Sequence, residues 1–338
     1  MILYFGNVLS SKGNNPSFIE LLAPKLAEFD KVIVTSSVRF QIFRLLDMIL
    51  TFFRFRHNSN LILIDTYSYR GFYYAFVIGF LSALFNKPYF PIIRGGDFRA
   101  RLVRTPRLAH YFLRKAAKVI VPSEFLYHLL REKGVEPVII PNFLELEAYR
   151  FLRRNNYKPR VLWVRSFHRI YQPEFAIKIL ANLINVYGKA NLCMVGPDKD
   201  GSMKACKVLA RELGIDQDVE FTGYLAKKEW HERSVNYDIF LNTTSIDNQP
   251  VSVLEAMALG LVVVSSNVGG IPFLIKHEEN GLLTPAYDMD GFVERISRLL
   301  NDSGFAQLLQ TNARSMAEKY DWSVIRTLWS ELLSPYLK

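Results

Sequence analysis

Residues 247–270, D-N-Q-P-V-S-V-L-E-A-M-A-L-G-L-V-V-V-S-S-N-V-G-G, decide the fold. They set two carboxylates, Asp247 and Glu255, eight positions apart. Asp247 falls in a polar loop. Glu255 lies within an apolar run at 251–258 that reads as a helix. Residues 261–265 read as a buried strand, and Gly269-Gly270 as a turn. In an α/β domain, the loop after a strand and the N-terminus of the next helix form a ligand site, because unpaired backbone N–H groups point outward there. An acid on the loop can grip hydroxyls, and an acid further along the helix can reach a ribose. This layout suits a nucleotide-linked sugar. The competing reading is a plain loop–helix–strand in which Asp247 only caps the helix.

Outward from this stretch, short β-rich runs alternate with helical patterns. The first half predicts strands at 2–5, 31–35, 61–65, 89–93, 118–121 and 138–140. The second predicts strands at 160–164, 191–195, 219–222 and 239–242, then three C-terminal helical patterns at 289–300, 304–320 and 322–333. The last has an apolar face of Val324, Leu328 and Leu332. Alternation of this kind implies parallel sheets with ligands beyond the carboxyl ends of the strands. The charged, aperiodic stretch 144–159 reads as the connection between two domains. The resulting division is 1–150, 151–320 and a terminal helix at 321–338. Two facing doubly wound domains make a cleft. No G-x-G-x-x-G follows the first strand, so an NAD site is not expected, and neither a Walker A loop nor H-E-x-x-H occurs.

Composition agrees with two domains. The chain has 338 residues, half of them apolar, enough to fill two cores. Cys193 and Cys206 make no disulfide framework and lack metal-ligand spacing, and a reducing cytoplasm is the simpler home. The N-terminus has no basic region of the kind that opens a signal peptide. Residues 1–157 hold 22 Lys/Arg against 11 Asp/Glu, whereas residues 158–338 hold 20 against 21. The first half should therefore attract anions. No nucleic-acid module is recognisable, and the aromatics sit at core spacing. Anionic lipid headgroups or a pyrophosphate-linked lipid acceptor fit better, beside the plainer reading of a solubilising surface. Residues 71–85 carry no charge over 15 positions, short of the roughly 20 that a membrane span needs, and read as a core helix. Residues 40–55 hold Arg44, Asp47 and Arg54 in an amphipathic pattern that suits either a membrane surface or packing on the sheet.

The stretch 247–270 resembles the E-x7-E signature of the large retaining glycosyltransferase family with the GT-B fold, the group 1 or family four type, with Asp247 replacing the first Glu. The flanking E-A-M-A-x-G and G-G-I-P accompany that signature. The resemblance implies two Rossmann-like α/β domains, with acceptor mainly on the first and donor on the second, and a last helix that crosses back to the first. It implies a nucleotide-sugar donor, UDP- or GDP-linked, a glycan or lipid-linked acceptor, and transfer without a metal or other cofactor.

Several positions carry the resemblance further. Arg165, after the strand at 160–164, matches the family's diphosphate-clamping Arg. The usual preceding Gly is Val164 here, and the usual Lys slot falls near Ile170, so Arg169 is the candidate replacement. Asp247 would approach the sugar hydroxyls. Pro250, Val251 and Ser252 would turn the helix N-terminus toward the diphosphate, and Glu255 would bind the ribose. Gly223 and Tyr224 mark the turn near the base. Gly13 belongs to a loop that closes over donor and acceptor in the family. In the first domain, R-G-G-D at 94–97 resembles the family's H-G-G-D loop, with Arg94 in place of His. An Arg cannot act as a base at neutral pH but can stabilise charge. Asp97 would orient Arg94, bind the acceptor, or merely cap a turn.

The reading is a retaining glycosyltransferase of cell-surface polysaccharide synthesis, cytoplasmic and peripheral on the inner membrane face. The alternatives are a nucleotide-sugar epimerase of the same fold and a non-catalytic nucleotide- or glycan-binding module.

Overall fold

The computed structural model describes residues 1–8, 16–95 and 97–337. The chain forms two compact units, Met1–Pro141 with Arg326–Lys338, and Asn142–Ile325.

The first unit runs β1 (Ile2–Phe5), α1 (Phe18–Leu26), β2 (Val32–Thr35), α2 (Gln41–Phe55), β3 (Leu61–Thr66), α3 (Gly71–Leu84), β4 (Tyr89–Ile93), α4 (Phe98–Arg104), α5 (Pro106–Lys115), β5 (Val119–Val121), α6 (Glu124–Arg131) and β6 (Pro137–Ile139). Its six strands pair in parallel in the order β2-β1-β3-β4-β5-β6. All six residues of β3, L-I-L-I-D-T, are buried, as expected of a parallel strand covered on both faces. The uncharged run at 71–85 becomes α3, which buries Phe72, Ala75, Ile78, Gly79 and Ser82. A Cβ on Gly79 would lie 2.4 Å from the Phe112 ring, so only glycine admits α5 this close.

The second unit runs β7 (Arg160–Val164), α7 (Pro173–Tyr187), β8 (Asn191–Val195), α8 (Ser202–Glu212), β9 (Val219–Gly223), α9 (Lys227–Arg233), β10 (Ile239–Asn242), α10 (Val251–Ala258), β11 (Val262–Ser266), α11 (Ile271–Leu274), β12 (Leu282–Thr284), α12 (Met289–Asn301) and α13 (Ser303–Glu318). Its parallel sheet has the order β12-β11-β10-β7-β8-β9. Chain direction across the sheet reverses between β7 and β10. At such a switch point the outgoing loops diverge and leave a crevice beyond the strand ends.

Two expectations are corrected. The stretch 144–159 is no free connection but belongs to the second unit, where Leu144, Tyr149 and Tyr157 are buried. Arg154, itself buried, donates to the carbonyls of Leu152, Ser234, Tyr237, Leu259 and Gly260. A guanidinium with five donors can satisfy carbonyls left open past a helix end, so a run that reads as solvated is partly internal. The last helix, α14 (Trp322–Leu333), buries Trp322, Ile325, Trp329 and Leu333, while Val324 is exposed. Leu328 and Leu332 are half-buried, so the buried line of the helix runs beside the stripe of Val324, Leu328 and Leu332 rather than along it.

Candidate functional site

The site of the second unit is built on its switch point. Arg165 leaves β7, and the loop at 243–250 leaves β10. They meet in an ion pair between Arg165 Nη2 and Asp247 Oδ2. The Arg165 guanidinium also lies over the Tyr171 ring, 4.8 Å from its centroid, while its Nε is buried without a partner. Glycines fix both loops. Gly196, after β8, has φ +149°, and a Cβ there would stand 1.8 Å from the Arg165 carbonyl oxygen. At the turn after β11, a Cβ on Gly269 would stand 2.1 Å from the Asp247 oxygen, and one on Gly270 1.7 Å from the Asn248 oxygen. The Gly270 amide donates to the Asp247 carbonyl at 3.0 Å. The G-G of the deciding stretch therefore holds the Asp247 loop by direct backbone approach.

Helix α10 opens from that loop. Pro250 is its N-cap, and no side chain caps it, so the first-turn amides of Val251 and Ser252 are left for another acceptor. Ser252 Oγ is buried and unpartnered. Glu255, on the next turn, is 4% exposed. Its Oε1 accepts from the Tyr149 hydroxyl at 2.9 Å and pairs with Lys227 Nζ at 2.7 Å. Both contacts fall on Oε1, so Oε2 remains available. Burial, reinforced by Glu255, pushes the Tyr149 phenol well above its usual range, which keeps it a donor. His231, ring to ring with Tyr149 at 4.6 Å and Trp230 at 4.4 Å, is pushed down to about 4 by burial and is neutral at ordinary pH.

Arg165, Asp247, Pro250, Val251, Ser252 and Glu255 thus lie along one loop-and-helix path. Arg169 does not join the ion pair. It is exposed in a short turn, and its backbone amide donates to Asp200 at 2.9 Å. Gly223 ends β9 with φ +68° and open space at its Cβ position, and Tyr224 is exposed. Gly13 lies outside the described residues. Sequence reasoning missed Gly196, Tyr149 and Lys227. The V-G-P after β8 was a usable signal for the first, but nothing local marks the other two, which reach Glu255 from distant positions.

The first unit has its own switch point, between β1 and β3. There Asp65, buried at the end of β3, accepts from the Tyr4 hydroxyl at 2.9 Å and pairs with Arg94 Nε at 3.6 Å. Burial raises the Asp65 carboxyl against the opposing pull of Arg94 and its hydrogen bonds. The Arg94 guanidinium covers the Phe18 ring at 3.1 Å. Asp97 is engaged elsewhere. It caps α4 through the Ala100 amide at 3.3 Å and accepts from the Tyr69 hydroxyl at 3.3 Å. Asp65 reaches Arg94 because Arg94 itself leaves the neighbouring strand end.

The sequence profile described as glycosyl transferases group 1 matches residues 147–316, half of the chain, including Tyr149, Arg165, Asp247 and Glu255 of the second unit. The chain belongs to that family. Among relatives, it is 29% identical to the sulfoquinovosyl transferase of Arabidopsis thaliana over 203 residues, 59% of this chain and 38% of that protein. The chain spans 30% to 44% of the length of the first curated relatives it matches. Among solved structures, it superposes on sucrose-phosphate synthase from Thermosynechococcus elongatus with a TM-score of 0.80 at 18% identity, covering 99% of this chain and 98% of that one. It superposes on Anabaena HepE, solved in complex with UDP, with a TM-score of 0.76 at 18% identity and 99% of both chains. The group 1 glycosyltransferase chain has the two Rossmann-like halves of the GT-B architecture.

Proposed function

We propose that this group 1 glycosyltransferase moves a sugar from a nucleotide sugar to a glycan or lipid-linked acceptor with retention of configuration, in cell-surface polysaccharide synthesis. The observation that carries the reading is the path from Arg165 through Asp247 and the open start of α10 to Glu255. As the sugar–phosphate bond breaks, negative charge grows on the leaving diphosphate. Preorganised cations and amides are the groups that stabilise such charge. Arg165 and the amides of Val251 and Ser252 take this part, in place of a bound metal. Glu255 is the fifth residue of α10, about 6 Å along the axis from the first, a distance suited to a ribose attached to a diphosphate held at the helix start. Its free Oε2 accepts from ribose hydroxyls. Asp247 orients the sugar. The acceptor hydroxyl attacks from the face the diphosphate leaves, and the departing phosphate takes its proton. Arg94 supplies positive charge on the acceptor side.

The basic first half brings the protein to an anionic membrane surface on the cytoplasmic side, where lipid-linked acceptors reside. Among the described residues, no helix is long and apolar enough to cross a membrane. The likeness to a protein solved with UDP makes UDP the first nucleotide to try. A non-catalytic binding role is the second reading, favoured by Val164 and Arg94 in place of the family's Gly and His and by the exposed Arg169.

The test is a thermal-shift titration with UDP, GDP, ADP and NAD, followed by turnover of the matching nucleotide sugars. A ligand that binds only the folded state raises the melting temperature. A shift with one nucleoside diphosphate and release of it from a sugar donor supports the reading. A shift without any turnover favours the binding module, turnover to an epimerised donor without acceptor favours the epimerase, and no shift removes the donor site.

A further inference from the structure

We propose that the outer side of the α2–α3–α5 layer of the first unit is an interfacial face that docks on anionic lipid bilayers. This rests on the acceptor reading above and names the surface that would bring the enzyme to it. The topology makes one layer of these helices. The crossovers β2 to β3, β3 to β4 and β4 to β5 all step the same way across the sheet, and right-handed connections place such helices on one face. α2 packs on α3, and α3 on α5.

Helix α2 is apolar on both sides. Arg44, Met48 and Phe52 are buried. Ile42, Phe43, Leu46, Leu50 and Phe53 are between 39% and 77% exposed, and they share an arc of about 100° opposite the buried residues. A core-facing helix needs no second apolar stripe in water. The patch runs on into α3. Phe53 meets Phe85 at 5.5 Å between ring centroids, and Arg56 lies 5.1 Å over each ring. Phe76 and Phe80 stack on each other at 6.4 Å, and both meet Tyr111 of α5 in tilted contacts at 6.3–6.4 Å. Among the described residues, the first unit exposes sixteen large apolar side chains and the longer second unit nine. The excess therefore belongs to the first unit. Exposed apolar area on this scale marks an interaction surface.

Charge selects the occupant. From residue 39 to residue 118 the chain holds 14 Lys/Arg against 3 Asp. Of those three, Asp65 is buried against Arg94, Asp97 caps α4, and Asp47 accepts from Thr35 at 2.9 Å. Arg107 and Arg114 lie at the outer pole of α5, opposite buried Ala109, Phe112 and Leu113. A second copy would bring like charge against like charge. An anionic bilayer offers both what the cations attract and an apolar depth for the rings.

The test is sedimentation with phosphatidylcholine vesicles, with and without phosphatidylglycerol. Wild type should bind the anionic vesicles, lose affinity with added salt, and bind neutral vesicles weakly. Ile42→Ser/Leu46→Ser/Leu50→Ser, which leaves Met48 and Phe52 in place, should weaken binding by about 100-fold or more. Arg107→Gln/Arg114→Gln should weaken it by about fivefold per cation. Melting temperature and the nucleotide shift should stay at wild-type values in both variants. They separate loss of this face from unfolding and from failure of the donor site. Equal binding by the triple variant and wild type, no binding of wild type at low salt, or conversion of a wild-type dimer to a monomer by the triple variant would each overturn the proposal.

Discussion

Gly270→Ala tests whether a backbone contact between two loops sets the donor site. The new Cβ would lie 1.7 Å from the Asn248 carbonyl oxygen and 2.7 Å from its carbon. Both obstacles are backbone, so no rotamer relieves the clash. Reaching ordinary contact requires the two loops to part by roughly 1.7 Å. Overpacking of this kind costs about 1–3 kcal/mol, a fall in melting temperature of about 2–12 °C at this size. The same movement draws Asp247 away from Arg165 and shifts the amides at the start of α10. Losing one charge-assisted hydrogen bond to a diphosphate costs about 1.5–3 kcal/mol, so affinity for the nucleoside diphosphate should fall by about 10- to 100-fold. Calorimetric titration with the diphosphate that stabilises wild type reads this directly. Gly188→Ala is the control. Gly188 has a positive φ, +72°, where Gly270 has −85°, and a Cβ on Gly188 meets nothing within 4 Å. It should cost about 1–2 kcal/mol of backbone strain and leave affinity alone. Wild-type affinity in Gly270→Ala would refute the reasoning.

Other substitutions probe the supports of the site. Glu255→Ala should weaken nucleotide binding by about 100-fold, since it removes a charged acceptor for ribose hydroxyls, and Tyr149→Phe by less, because it frees Glu255 without removing it. Titration of both variants checks the order. Arg165→Ala should cut turnover by about 100-fold or more, as for other preorganised charge stabilisers, measured with saturating donor. Arg154→Met should lower stability by about 3 kcal/mol or more by stranding several buried carbonyls, read by denaturant unfolding, with nucleotide affinity unchanged. His231 is held near 4 when folded against an ordinary 6.5. The unfolded chain therefore takes up the proton first. Stability is fully present above about pH 6.5 and drains toward pH 4 with a limiting slope of about 1.4 kcal/mol per pH unit. His231→Phe should flatten that part of the stability profile.

The alternation of strands and helices was legible because parallel strands such as β3 and β11 are buried on both faces and read as unbroken apolar runs. The path from Asp247 through the α10 start to Glu255 was legible because those residues are contiguous in sequence. What joins them from elsewhere was not. Tyr149 and Lys227 meet Glu255 only through the tertiary fold, and Tyr149 sits in a charged stretch that reads as solvated. Arg94 and Asp97 are three positions apart, so pairing them was the natural local inference. Asp65 at the neighbouring strand end pairs with Arg94, a register relation between strands that spacing alone does not reveal. The stripe of α14 misled for a different reason. Two neighbouring apolar rows share the helix, and the one through Trp322, Ile325, Trp329 and Leu333 is the more deeply buried.

The first unit is discontinuous in sequence, ending with residues 326–338 after the whole second unit has been made. On a ribosome adding about 5–20 residues per second, the span from residue 141 to the last residue takes about 10–40 s. Until the closing segment is added, Phe90 lacks the Tyr336 ring that meets it edge-on at 4.9 Å and Glu28 lacks Arg326 at 2.9 Å, whereas the second unit is one continuous stretch that is complete at Ile325. The half whose synthesis starts first is therefore the half completed last, and a chain cut between residues 326 and 336 leaves the gap in its opening unit while its closing unit is whole.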